Sequence, residues 1–434
     1  MEERSVTSLA LPITISTISD SLLSLVALIT VAKLSTTAVA ATGLAAYLFF
    51  VINALASVFT GGLMVVLAQA IGARKEDIAG SATGETLCLA FVLSVLIVLS
   101  TPYWLSSYFL AVSSGNAEVT ELALEYTFLR LLSLPALFVN IVLASLYRSV
   151  DKPWPSVYAS LINLGLGLLL IPLFTLGGFN VKAMGLKGAG FATTISSYFS
   201  LVAYAIWKPP IRIQLTVPGR LSLKVLMLGT PMALERFVAS IAHNIYVNAV
   251  AKGGTIALAA HNIGVNVESL IIQPSFAISL ATLVRTGQET GARNLESVSA
   301  RLREGVVVGA ITMGLAALAL VALSPFAGYM FTSDPEIIRL TQAYLVLAAL
   351  SEIGFGISNA FYGAMRGMGS VWLPLFINMI TVVFFRAIPA QVLAEKYGAI
   401  GAWATQNTDM YGRALLASLA WRILGARRLA KRVF

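Results

Sequence analysis

The stretch VAKLSTTAVAA at Val31–Ala41 returns 219 residues later as VAKGGTIALAA at Val250–Ala260. The match extends without a gap over Pro12–Arg74 and Pro231–Arg293, with fifteen of sixty-three positions identical. Apolar sequences match one another by chance, so shared Ala and Val decide little. Lys33 and Lys252 are different, and so is the closing pattern: Gln69, Gly72, Ala73 and Arg74 against Gln288, Gly291, Ala292 and Arg293. No common hydropathy requires them. Downstream, Tyr126, Arg148 and Trp154 return as Tyr344, Arg366 and Trp372. Gly185-Leu-Lys-Gly188-Ala returns as Gly398-Ala-Ile-Gly401-Ala. One ancestral half is used twice.

The 434 residues are 58% hydrophobic and only 11% charged, with a mean hydropathy of +0.84. A soluble domain carries roughly 25% charged residues, so this chain belongs in a bilayer. Apolar runs of the ~20 residues needed to cross the hydrocarbon core fall at about 8–32, 38–70, 82–108, 122–146, 155–178 and 184–207. After a polar break come about 224–250, 256–284, 305–330, 338–364, 371–394 and 398–424. The expected fold class is an all-α integral membrane protein of twelve transmembrane helices. A barrel would need shorter, alternating strands. The first run shows no cleavage pattern and is read as a retained helix rather than a signal peptide.

Six crossings return the chain to its starting side, so the second half enters with the same orientation as the first. Two six-helix bundles related by a parallel repeat follow. The expected organisation is 1–208 for the first bundle, 209–222 for a linker and 223–434 for the second bundle. The linker region holds Pro209, Pro210, Pro218 and Gly219 with basic residues beside them. A cleft between bundles is the expected place for a substrate.

With the N-terminus inside, eighteen of twenty-nine Lys and Arg fall in cytoplasmic loops and tails, among them Arg4, Arg74, Lys75, Arg148, Arg220, Arg293 and Arg366. Six fall outside: Lys33, Lys182, Lys187, Lys252, Arg339 and Lys396. This positive-inside bias predicts cytoplasmic termini and a multi-pass protein of the plasma membrane. The net charge of +9 is thus a topology signal, and no soluble basic face is left for nucleic acid. Cys88 is the single cysteine, which excludes a disulfide framework or a cysteine metal cluster. It reads as a small core residue.

Ionisable groups inside spans are costly and point to function. Five carboxyl groups qualify: Asp20, Glu235, Glu268, Glu352 and Asp409. Subtracting 219 sets Glu235 opposite Ser16, one turn from Asp20 on the same face, so each bundle offers an acid from an equivalent helix. A buried carboxyl group can exist neutral in one state and ionised in another, which is what cation coupling needs. Glu268 and His261, seven residues apart, share a face and could relay protons or form a structural bond. Glu352 has no cationic partner within a turn of its own helix. Asp409 and Arg413 at i, i+4, with Arg386 on the neighbouring run, read as a structural ion pair or triad. Glu85 and Glu289, near cytoplasmic helix ends, are expected to be solvated. The chain has no GxSxG, HExxH, Walker A or CxxC, so no catalytic residue, enzyme activity, metal site or cofactor is expected.

These residues resemble a family. LALPITIS at Leu9–Ser16, VAKL and AVAATGLA up to Ala45, and AQAIGARK at Ala68–Lys75 look like the opening of a multidrug and toxic compound extrusion (MATE) transporter. GTPMALE at Gly229–Glu235, ALAAHNI at Ala257–Ile263, GQETGARN at Gly287–Asn294, GAMRGMGS at Gly363–Ser370 and FFRAIPA at Phe384–Ala390 extend the likeness over nearly the whole chain. It is most similar to the prokaryotic DinF-like branch of the MOP flippase superfamily. The resemblance implies two V-shaped bundles and export of organic cations or amphipathic compounds against H⁺ or Na⁺. The family commonly has aspartates where Ala27 and Gly167 stand here, while Asn163 keeps the fifth-helix pattern. Asp20 lies two turns before Ala27, on nearly the same face and about 10.5 Å away along the axis.

The reading is therefore a secondary active exporter working by alternating access, with H⁺ or Na⁺ as coupling ion. Its expected substrate is a lipophilic organic cation, and a monomer in the lipid bilayer is expected. Asp20, Glu235, Glu268, Glu352, Asn163 and His261 are the candidates for coupling ion or substrate. The alternative is a lipid or lipid-linked oligosaccharide flippase of the same superfamily, which should show several embedded cations in its cleft. The first bundle's spans contain only Arg130.

Overall fold

The computed structural model describes residues 5–113 and 116–434; Arg4, counted above among the cytoplasmic cations, lies outside them. The first half forms α1 (Thr7–Ala32), α2 (Thr36–Gly72), α3 (Glu76–Val112), α4 (Ala117–Leu131), α5 (Leu134–Ser149), α6 (Trp154–Leu176), α7 (Leu186–Ser200) and the short α8 (Val202–Ile206). The second forms α9 (Arg220–Ala251), α10 (Gly254–Ile271), α11 (Gln273–Gly291), α12 (Leu295–Ala327), α13 (Pro335–Gly367), α14 (Trp372–Thr381) and α15 (Ile388–Leu429). Helices dominate because a lipid-exposed backbone must satisfy its own amides and carbonyls.

Ten helical stretches among the described residues are long and apolar enough to cross a bilayer, and α4–α5, bent by 44°, adds an eleventh. The span expected at 122–146 is therefore broken. Pro135 stands in the first turn of α5, where a missing N–H leaves no bond unmade. The stretch Trp372–Leu429 contains 58 residues, about 87 Å of helix against a ~30 Å core. It divides at Gly398, whose φ of 62° and ψ of −152° are not helical. Counting its two arms separately gives the expected twelve. Gly185, the repeat counterpart of Gly398, also has a positive φ of 63°, so both glycines break the chain between spans. Gly188 and Gly401 sit in close packing, since a Cβ on either would strike a backbone carbonyl.

The described residues divide into two compact units. The first unit comprises Ile15–Leu67 and Glu76–Gly229. Within it α3 packs on α4 and α5, and α7 packs on α4 and α6. Phe59 and Phe138 meet edge to face at 5.6 Å, and Tyr147 stacks on Tyr204 at 5.5 Å. The linker lies along α3. Gly80 and Gly84 leave room for the backbone of Arg212 and Gln214, and the Ser81 hydroxyl donates to Gln214 Oε1 at 2.9 Å. Glu85 is not simply solvated, as expected above. Its Oε2 accepts backbone N–H groups from Gly219 at 2.9 Å, Leu221 at 3.1 Å and Ser222 at 2.9 Å. A carboxylate is favoured there because the first N–H groups of α9 have no partner within the helix.

The second unit comprises Thr230–Phe434, Ala68–Lys75 and the chain up to Thr14. At its centre α13 packs against α10, α11, α12 and α15. Buried Tyr246, Tyr344, Leu345 and Trp403 form its main core with a large share of alanine; small residues let membrane helices approach closely. The Gln…Gly-Ala-Arg repeat is explained here. A Cβ on Gly72 would strike the carbonyl of Gln288, and a Cβ on Gly291 would strike that of Gln69. Since Gln69 and Gln288 are themselves repeat partners, the contact is reciprocal. Arg74 (φ 58°) and Arg293 (φ 62°) then end their helices in the left-handed conformation, each followed by an N–H bonded five residues back.

Candidate coupling site

The second unit gathers most of the embedded acids, and arginine sorts them. Asp409, fully buried, receives Arg413 Nε at 2.8 Å on Oδ1 and Arg413 Nη2 at 2.6 Å on Oδ2. Arg386 Nη1 lies 3.9 Å from the same carboxylate. Arg386 comes from a single π-helical turn, Val382–Ala387, and stands 4.3 Å over the Tyr246 ring. Such turns re-aim side chains and recur at functional sites.

Glu235, the candidate that the repeat sets opposite Ser16, is held in an ion pair. Arg366, in the last turn of α13, pairs with its Oε2 at 2.5 Å, and Asn378 Nδ2 donates to its Oε1 at 3.0 Å. Adjacent Arg236 is exposed, in keeping with neighbours pointing to different helix faces. The long Arg366 side chain reaches back into the helices from a position read above as cytoplasmic loop.

Glu268 and Glu352 form the exception. Tyr344 donates its hydroxyl to Glu268 Oε2, and Gln406 Nε2 donates to Glu268 Oε1 at 2.6 Å. The Glu352 carboxyl group lies close enough to Glu268 for the two to interact. Glu352 is 1% exposed, and its Oε2 has no partner. Two carboxyl groups can share a hydrogen bond only when one of them carries the proton. No Lys, Arg or His is paired with either group among the described residues. Arg386 approaches only through Gln406, whose Oε1 accepts from Arg386 Nη2 at 3.1 Å.

His261 does not pair with Glu268. Both of its ring nitrogens are buried without a hydrogen-bond partner, and the ring packs edge-on against Tyr246 at 5.6 Å and Tyr344 at 5.2 Å. The seven-residue spacing puts both on one face, but Tyr344 reaches Glu268 first. Neither Tyr344 nor Gln406 stood out as a site residue in the sequence. The repeat of Tyr344 as Tyr126 was the available signal.

In the first unit, Asp20 accepts a hydrogen bond from Ser160 and feels the charge of Arg148. Arg148 closes α5 and is the repeat partner of Arg366, so each unit sets an arginine near an acid of α1 or α9. Asp20 nevertheless remains exposed on the protein surface. Asn163 Oδ1 is buried without a partner. Where the second half has Glu268, the first has Phe49, with the Arg130 guanidinium 3.9 Å above its ring and Arg130 Nη1 donating to Tyr126 at 2.9 Å. No group of three or more His, Cys, Asp or Glu among the described residues could hold a metal ion.

The helices and their embedded charges define a polytopic membrane protein built on a doubled six-helix unit. The chain belongs to the MatE family, whose model matches twice, at residues 12–173 and 231–392. Those two matches are offset by the same 219 residues as the internal repeat. The chain is similar to the probable multidrug resistance protein NorM of Thermotoga maritima, 28% identical over 393 residues, covering 88% of this chain and 84% of that one. It is also similar to the multidrug resistance protein NorM of Vibrio vulnificus, 26% identical over 425 residues, covering 93% and 91%. Its fold matches that of an outward-facing multidrug resistance MATE family transporter of the MOP superfamily, with a TM-score of 0.90, 23% identity and coverage of 98% and 96%. The eukaryotic MATE transporter AtDTX14 matches at 0.83, with 18% identity and coverage of 99% and 98%. These relatives are membrane transporters rather than enzymes.

Proposed function

We propose that this chain is a multidrug exporter of the plasma membrane that moves lipophilic organic cations outward in exchange for H⁺ or Na⁺. Both curated relatives carry multidrug resistance in their names, and a solved MATE of the same fold is known in complex with MaD3S. The observation that carries the coupling is the Glu268–Glu352 pair. Arginine pairs with Glu235 and Asp409, whereas the Glu268–Glu352 pair has only neutral donors in direct contact. An exchangeable cation is the remaining means of balancing its second negative charge. Loading and release of that cation would bias the inward- and outward-facing states. In the first unit, exposed Asp20 and the open Asn163 carbonyl are the proposed contacts for substrate or cation. His261 would cover the carboxyl pair rather than relay to it. No cofactor takes part, and the working unit is a monomer with cytoplasmic termini.

The test is ethidium efflux from proteoliposomes under an imposed pH or Na⁺ gradient. Glu268→Gln with Glu352→Gln should lower gradient-driven efflux at least about tenfold, while ethidium exchange without a gradient persists. Gradient-driven efflux at the wild-type rate in the double variant would remove the pair from coupling.

A further inference from the structure

The capping of α9 by Glu85 has a counterpart in the second unit, and the repeat register identifies it. Adding 219 to 85 gives 304. Glu304, on α12, accepts the backbone N–H of Val6 on Oε1 at 2.5 Å, at the start of α1. Its Oε2 is held by Arg301 Nη1 at 3.1 Å. Beside it, buried Arg285 donates from Nε to the Ser5 carbonyl at 2.9 Å and from Nη2 to the Ser8 hydroxyl at 3.1 Å. So a carboxylate of the first half holds the leading turn of the second half, and its repeat partner holds the leading turn of the first.

The division into units makes the same exchange. The first unit contains α9 up to Gly229, and the second contains α1 up to Thr14. Val6 and Val225, 219 residues apart, are both fully buried. Each compact unit is completed by the start of the other half's first helix.

We propose that Glu85 and Glu304 are paired positioning residues for transport: each fixes the axial register of the leading turn that it holds within its own compact unit. The proposal rests on the transport reading above. The start of α9 also packs closely on α2, where a Cβ on Gly62 would strike the Val225 carbonyl and one on Gly229 that of Val58; small residues allow that approach, and the carboxylate adds a polar constraint to it. A carboxylate seated on N-terminal amides, aligned with the macrodipole, is satisfied in one register only. The two anchors are unequal: Glu85 engages three amides, whereas Glu304 engages one and leans on Arg301 and Arg285 for the rest.

The test uses the full chain in proteoliposomes with ethidium as probe, and amide exchange followed by mass spectrometry. In Glu85→Gln, the amides of residues 219–222 should exchange about tenfold faster, and maximal efflux should fall at least about fivefold with KM for ethidium nearly unchanged. Glu304→Gln should do the same at the start of α1. Glu85→Cys in a Cys88→Ser background separates register from folding. A sulfonatoethyl methanethiosulfonate adduct restores an anion and should restore both efflux and amide protection. A trimethylammonium adduct should restore neither, and reduction should reverse the rescue. Unchanged amide exchange, faster exchange with wild-type efflux, or equal rescue by both reagents would each overturn the proposal. Failure of the wild-type protein to move ethidium under any gradient would count against the transport reading instead, and amide exchange would still report on the anchor.

Discussion

Arg366 reaches Glu235 across 131 residues of sequence, and Gln406 reaches Glu268 across 138. Those separations explain what could be read from the sequence at the scale of single residues. The embedded acids were visible because a carboxyl group in an apolar run is conspicuous. Their partners were not, because periodicity within a helix says nothing about which distant helix packs beside it. Arg366 was conspicuous as a loop cation and as the repeat of Arg148, and Glu85 only as a polar helix end. The distinction matters for stability. Removing one partner of a buried pair strands the other charge, at a cost of about 3–5 kcal/mol. Arg366→Met should therefore lower thermal stability in detergent by roughly that amount, discounted for the partial exposure of the pair. Glu235→Leu added to it should recover most of the loss. An unchanged melting temperature in Arg366→Met would mean that the pair contributes nothing to the fold.

At the scale of elements, the repeated Gln…Gly-Ala-Arg ending announced something that hydropathy did not require. Its cause is the reciprocal approach of α2 and α11, where each glycine faces the other helix's backbone. The bends were less legible. The break before α5 and the π-helical turn carrying Arg386 depend on tertiary packing. The glycines offer a paired comparison. Gly291→Ala pushes a methyl group against the Gln69 carbonyl and should destabilise the protein by about 1–3 kcal/mol. Gly165, inside α6, has open space where its Cβ would stand. Gly165→Ala should be neutral, or should stabilise by about 0.5–1 kcal/mol. Chemical unfolding in mild detergent measures both, and a Gly291→Ala protein as stable as Gly165→Ala would contradict the close contact.

For the whole molecule, the duplicated half and the membrane habit were legible from composition and the 219-residue offset, and the MatE model repeats that offset independently. The exchange of leading turns was not, because it depends on contacts between segments hundreds of residues apart. Orientation can be checked directly. A single cysteine placed at Thr216, in the linker of a Cys88→Ser protein, should react with an impermeant maleimide in inverted vesicles but not in right-side-out cells. The opposite labelling would reverse the assignment of the termini.

The bond from Val6 to Glu304 spans 298 residues, and it sets a timetable for the ribosome. At about 5–20 residues per second, the start of α1 waits roughly 15–60 seconds before the helix that receives it has been made. Through that interval the segment leading into α1 lacks the carboxylate that accepts the Val6 amide. The second unit becomes whole only when a segment made early is joined to helices made late.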